Sequence, residues 1–209
     1  MKTILPIARL ASACALMVGT VASAAGGPLG IDHRITYDDS GIWKRSNQKF
    51  LQTATGVVIV AGALWEGDDD RLGRTFWQSV DSTVIGVGSA TALKLVFSRA
   101  RPTQTDDPNR WFQGHGNKSF PSGEVAEVTS AITPFVLEYG RDYPAAYALE
   151  LLPLYDAVAR VKARAHWQTD VLASFALGTA AGYYAHSRAS SISVGLLPGG
   201  LTIGWKTRF

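Results

Sequence analysis

Five segments of helical length and apolar content organise this chain, and clusters of Gly, Pro, Asp and Asn separate them. Phe50 to Trp65, Phe76 to Arg99, Gly123 to Glu138, Ala145 to Ala159 and Asp170 to His186 each read as a helix. Five helices are enough to bury their apolar stripes against one another, so the expected fold is all-α, a single-domain helical bundle. The same segments raise the question of a membrane. The uncharged runs Phe50 to Trp65 and Val171 to Ser187 come close to spanning length, while Lys94 interrupts Val84 to Phe97. All fall below the roughly 18 clean apolar residues that a span needs. A water-soluble helical domain is the expectation, with room for a membrane-facing surface.

The two ends depart from this pattern. Lys2 and Arg9 precede an apolar stretch from Leu10 to Val21, and Ala22-Ser23-Ala24 supplies small residues for cleavage. Residues 1–24 therefore read as a secretory signal, which implies an exported, periplasmic protein. Residues 25–45 are rich in Gly, Asp and polar groups and read as an irregular arm ahead of a helical domain over 46–190. In the tail, Ile192, Val194 and Leu196 alternate, Pro198-Gly199-Gly200 turns, and Leu201, Ile203, Trp205, Thr207 and Phe209 alternate again. That is a β-hairpin pattern over 191–209. An aromatic C-terminus on such a strand also resembles the end of an outer-membrane barrel protein, although two strands cannot close a barrel.

Composition excludes several chemistries. Cys14 is the only cysteine and lies in the signal, so the mature chain has no disulfide, thiolate metal site or cysteine nucleophile. The formal charge of +3 falls to +1 once Lys2 and Arg9 are removed, which gives no argument for nucleic acid. GDDDRLG at 67–73 reads as a solvated turn, because it lacks the alternating ligands and distal Glu of a calcium loop. The polar, Gly-broken stretch from Pro102 to Phe120 is long for a loop in a small domain, and loops of that length are often functional.

Three local groups carry chemistry. KLVFSRARP sets Lys94 and Arg101 seven residues apart, nearly on one stripe of a helix that Pro102 would close. Pro121-Ser122-Gly123 looks like a helix mouth, where free N–H groups favour an anion, yet Glu124 comes next. ARVKARAHWQTD offers Arg160, His166 and Asp170, the last two spaced to meet across one helical turn. Taken singly, each has a plainer reading, as a solvated basic stripe, a capped helix start with Ser122 as N-cap, and a surface helix contact.

Taken together, in this order, they resemble the signature of the type 2 phosphatidic acid phosphatase superfamily, which includes class A acid phosphatases and vanadium haloperoxidases. Its pattern is Lys-x6-Arg-Pro, then Pro-Ser-Gly-His, then Ser-Arg-x5-His-x3-Asp. The resemblance implies a helical bundle with one phosphate pocket. In it Lys94, Arg101, Arg160, Ser122 and the Gly123 backbone N–H would hold the phosphoryl oxygens. His166 would be the nucleophile of a phosphohistidine intermediate, and Asp170 would bond its other ring nitrogen. Neither metal nor cofactor is implied, and the expected partner is a phosphorylated small molecule or lipid.

Two residues depart from the pattern. Ala159 stands for the Ser, and Glu124 stands for the His that gives the leaving oxygen its proton. Glu124 would serve as the acid if a bound phosphate raised its pKa, with His115 on the adjoining loop as the alternative donor. The expected function is an exported phosphatase acting on phosphate monoesters or on terminal phosphates of lipid-linked substrates. The alternatives are a weakly catalytic phosphate- or lipid-binding envelope protein and a vanadate-dependent haloperoxidase.

Overall fold

A computed structural model describes residues 26–188, 192–197 and 200–205. The signal segment expected over 1–24 lies outside the described residues. The described α-helices are α1 (Arg45–Glu66), α2 (Arg71–Phe97), α3 (Gly123–Tyr139), α4 (Leu151–Lys162) and α5 (Gln168–His186). Two further stretches, β1 (Ile192–Leu197) and β2 (Gly200–Trp205), pair antiparallel with Val194 opposite Ile203. The Pro198-Gly199 turn expected between them lies outside the described residues.

The bundle is built around α3. Val125, Ala126, Val128 and Ala131 are fully buried, and α3 packs most extensively against α5 and α2. Burying each valine stabilises the fold by about 1.5–3 kcal/mol. Close approach of α5 depends on Gly178, where an added Cβ would lie 2.6 Å from the Cβ of Thr129 and 2.9 Å from the Ala126 carbonyl oxygen. The buried hydroxyls of α3 fold back onto their own helix, Thr129 donating to the Val125 carbonyl and Thr133 to the Thr129 carbonyl, both at 2.7 Å. Pro134 has no N–H for the Ser130 carbonyl one turn earlier. Ser82 of α2 donates its hydroxyl to that carbonyl at 2.8 Å, so the missing bond becomes a link between helices.

Several boundaries differ from the sequence expectation. α2 stops at Phe97, not Arg99, because Ser98 turns left-handed at φ 38° and the chain then pairs with the loop. Ala100 N–H donates to Arg110, Phe112 N–H to Phe97 and Gln113 N–H to Ser98, at 2.8–3.0 Å. Arg101 therefore leaves from a loop and does not share a helical stripe with Lys94. The segment expected as one helix from Ala145 divides into a 3-10 stretch, Pro144–Glu150, and α4. The acidic turn at 67–73 has a structural use, since Asp70 caps α2 by accepting the Gly73 N–H at 2.6 Å.

The outer face is more apolar than expected. α2 is long and apolar enough to cross a membrane by length and composition, and only 17% of its most apolar window is buried. Phe50, Val57 and Trp65 of α1 and Val84, Leu95 and Val96 of α2 are all exposed.

Candidate active site

The irregular arm is where the site begins. Asp32 is 2% exposed and caps α5, accepting the Thr169 N–H at 2.8 Å and the Thr169 hydroxyl at 2.6 Å. His33 and Gln168 exchange two bonds, Arg164 donates to the Ile35 carbonyl, and Asp38 N–H donates to the Lys162 carbonyl. The arm thus lies along residues 162–169 and fixes the loop that carries His166. Beneath it sits Arg99, fully buried, donating to Asp32 and Asp170 at 2.5 Å each and to the Pro108 carbonyl. The Trp111 ring covers its guanidinium at 4.3 Å. Phe97 and Phe120 pack edge to face on the Trp111 ring and on each other, so Trp111 is a packing residue, while Phe112 stays exposed.

Lys94, at the last turn of α2, donates its ammonium to the carbonyls of Pro121 and Lys118. Arg101 reaches the same Lys118 carbonyl at 3.3 Å. An added Cβ on Gly123 would lie 3.5 Å from Cε of Lys94, so the cation stands against the mouth of α3. Burial, with Arg101 beside it, pushes Lys94 down to about 8. Ser122 begins α3 fully buried, and its hydroxyl has no hydrogen-bond partner among the described residues.

His166 is 3% exposed and precedes α5 instead of lying on it. Its Nδ1 is 2.6 Å from the Ser119 carbonyl oxygen, which can only accept, so Nδ1 carries the proton and Nε2 keeps its lone pair. Asp170 does not make the bond expected of it. Its Oδ2 stands 3.8 Å from Nδ1, because that oxygen is taken by the Ser119 hydroxyl at 2.5 Å and the Trp167 N–H at 2.9 Å. The helical turn that would have brought the pair together starts two residues too late. Burial drives the imidazole down to about 3, against the pull of Asp170, and it is neutral at physiological pH. Asp170 is itself pushed up by burial, but His166, Arg99 and the Ser119 hydroxyl outweigh this and hold it below the usual carboxylate range.

Glu124 occupies the mouth of the cavity in an arrangement absent from the sequence reading. Both its oxygens are gripped by Arg45 of α1, the second at 2.6 Å, and Arg160 of α4 lies 3.6 Å away. Gln48 squares the two guanidiniums, its Oε1 accepting from Arg45 and from Arg160 at 3.1 Å each. Burial pushes Glu124 up, yet the Arg45 bonds and the charge of Arg160 win and hold it below its ordinary value. The acid role suggested by the sequence needs a proton that the free site withholds. His115, the alternative donor, lies in an exposed loop.

Arg45, Arg101, Glu124 and Arg160 line one cavity of about 380 Å³ together with Tyr37 and Asp39. Arg160 is buried, and its Nε has no partner among the described residues. One turn earlier on α4, Asp156 is 1% exposed with neither carboxyl oxygen bonded among the described residues, and burial beside Glu124 pushes it up to about 7. Sequence reasoning missed Arg45, Gln48, Arg99, Asp32 and Asp156. One signal for Arg45 was available: a cation opening a helix works against the dipole, which marks it for a partner elsewhere. Among the described residues no group of three or more His, Cys, Asp or Glu is placed to hold a metal ion.

A structure of LpxE from Aquifex aeolicus is similar at 18% identity and a TM-score of 0.45, over 68% of this chain and 84% of that one. No curated protein matches. The model of the PAP2 superfamily matches residues 76–191, more than half of the 209 residues and the whole of the stretch that carries the three motifs. On that match, the chain belongs to the PAP2 superfamily.

Proposed function

We propose that this protein is an exported phosphatase that removes phosphate from monoesters or from the terminus of a lipid-linked substrate, through a phosphohistidine on His166. Family membership supports a phosphatase. One observation supports this site above others: Arg160 on the cavity wall and Ser122 at the mouth of α3 are buried donors without acceptors among the described residues, and Nδ1 of the His166 imidazole is already committed to Ser119. A buried donor left unpaired is costly, and a phosphoryl group brings three acceptor oxygens. The four cations Lys94, Arg101, Arg160 and Arg45 neutralise the equatorial charge that builds up in transfer.

In the first step Nε2 of His166 attacks phosphorus and the P–O bond to the leaving group breaks. The imidazole then carries positive charge, which Asp170 offsets at 3.8 Å and the Ser119 carbonyl holds in orientation. Water then attacks phosphorus, the N–P bond breaks, and phosphate leaves. The exposed Val84, Leu95 and Val96 of α2 give the fold an apolar outer face, which suits a lipid-linked ester.

The ionised Glu124 favours one second reading, a phosphate-binding envelope protein with weak catalysis. A phosphate-release screen on lipid and soluble phosphates, with His166→Ala beside the mature protein, separates the two. Release by the parent and none by the variant is expected of the enzyme. Equal release from both contradicts it.

A further inference from the structure

Glu124 sits where the cations of the site would hold an anion, and its partner Arg45 belongs to none of the three motifs. We propose that Arg45 is a phosphate-binding residue that exchanges Glu124 for the substrate, and that the exchange makes Glu124 the acid of the reaction. This rests on the phosphatase reading above.

Three features carry it. Arg45 and Arg160 are aligned by one oxygen, Gln48 Oε1, so the two guanidiniums form a fixed clamp. The clamp grips a carboxylate through two bonds from Arg45, a geometry that suits two phosphoryl oxygens equally well. Arg45 remains about one third exposed on the cavity wall, open to an incoming ligand. A phosphoryl group has the advantage over Glu124 of a third oxygen, available to Arg160 on the cavity wall, whose Nε is unpaired among the described residues.

Once Arg45 is taken, the surroundings set the charge of Glu124. It then faces Arg160 and Asp156 of α4, Glu127 one turn along α3, Lys94, Arg101 and His166, with a phosphate dianion among the cations. The charges that kept it ionised are now shared with the ligand, and a proton on Glu124 becomes favourable. The ester monoanion supplies that proton. Its P–O–H proton passes to the freed carboxylate, and the resulting dianion stays in the clamp. As the His166 Nε2–P bond forms, the electron pair of the breaking P–O bond goes to the leaving oxygen, and Glu124 returns the same proton to it.

Binding of inorganic phosphate to full-length His166→Ala protein, measured by titration calorimetry, tests the exchange apart from turnover. Arg45→Gln on that background is expected to weaken binding by about tenfold to a hundredfold. Arg45→Lys should recover part of it, because an ammonium cannot make the fork. Glu124→Gln should tighten binding, since it removes the competing anion. Melting curves check that each variant is folded, and the Glu124→Gln result decides the matter should Arg45→Gln fail to fold. Unchanged affinity in Arg45→Gln, or weaker affinity in Glu124→Gln, overturns the exchange while leaving the phosphatase reading standing. A parent protein that binds no phosphate removes both.

Discussion

Two arginine–carboxylate clusters in this molecule behave in opposite ways. Around Arg99 the charged groups are paired and sealed: Asp32 and Asp170 are fully buried, and the Trp111 ring covers the guanidinium, leaving only its own indole N–H without a partner among the described residues. Around Arg45 and Arg160 the charges face a cavity, and among the described residues Arg160 Nε and, one turn earlier on the same helix, both oxygens of Asp156 are unpaired. The same residue types thus make a strut in one place and a ligand site in the other. What separates them is whether the polar atoms are used up. A complete network rigidifies, and an incomplete one is stable only if something else supplies its partners.

Substitutions that invert this contrast should have unequal effects. Arg99→Gln leaves two buried carboxylates without their cation and should cost about 3–5 kcal/mol of stability in urea denaturation. Little loss would mean that the knot is not the strut described. Arg160→Gln should lower turnover by about a hundredfold to a thousandfold, as removal of a transition-state donor does, with a much smaller change in the denaturation midpoint. The reverse pattern, lost stability with intact turnover, would move Arg160 into the structural cluster.

Asp156 sharpens the contrast through pH. Its folded pKa, about 7, lies above the ordinary carboxylate value of 3.8, so the folded state binds the extra proton between the two. Its contribution is complete at low pH and is lost as pH rises through about 7. Asp156→Asn should flatten stability across that window, and an unchanged slope in denaturation measured from pH 5 to 8 would assign it to other groups. The smallest effect belongs to Lys94, which loses charge in the free protein as pH rises through about 8. kcat/KM should fall on that limb, and Lys94→Arg should move the limb upward.

The open cluster was more legible in the sequence than the sealed one. Lys94, Arg101, Ser122, Glu124, Arg160 and His166 lie in three short runs of sequence that a motif can match, and of the sealed cluster only Asp170 does. Arg99 meets Asp32 across 67 residues and Arg45 meets Glu124 across 79, and no local pattern encodes such pairs. Local reading also failed where the backbone took an unexpected course. Ser98 adopts a left-handed turn usually left to glycine, which ended α2 early and freed Arg101. The late start of α5 separated His166 from the carboxylate that its spacing promised, and the Ser119 carbonyl took that place. On the surface, α2 carries its apolar residues outward, which a count of uncharged residues interrupted by Lys94 did not register.

The phosphohistidine can be tested most directly by trapping it. The protein is mixed with a phosphate ester labelled in the phosphoryl group, quenched in alkali within milliseconds and mapped by peptide. Label on the His166 peptide, absent from His166→Ala, is the expected result. Steady release of phosphate with no label on that peptide at any quench time would contradict a nucleophilic His166.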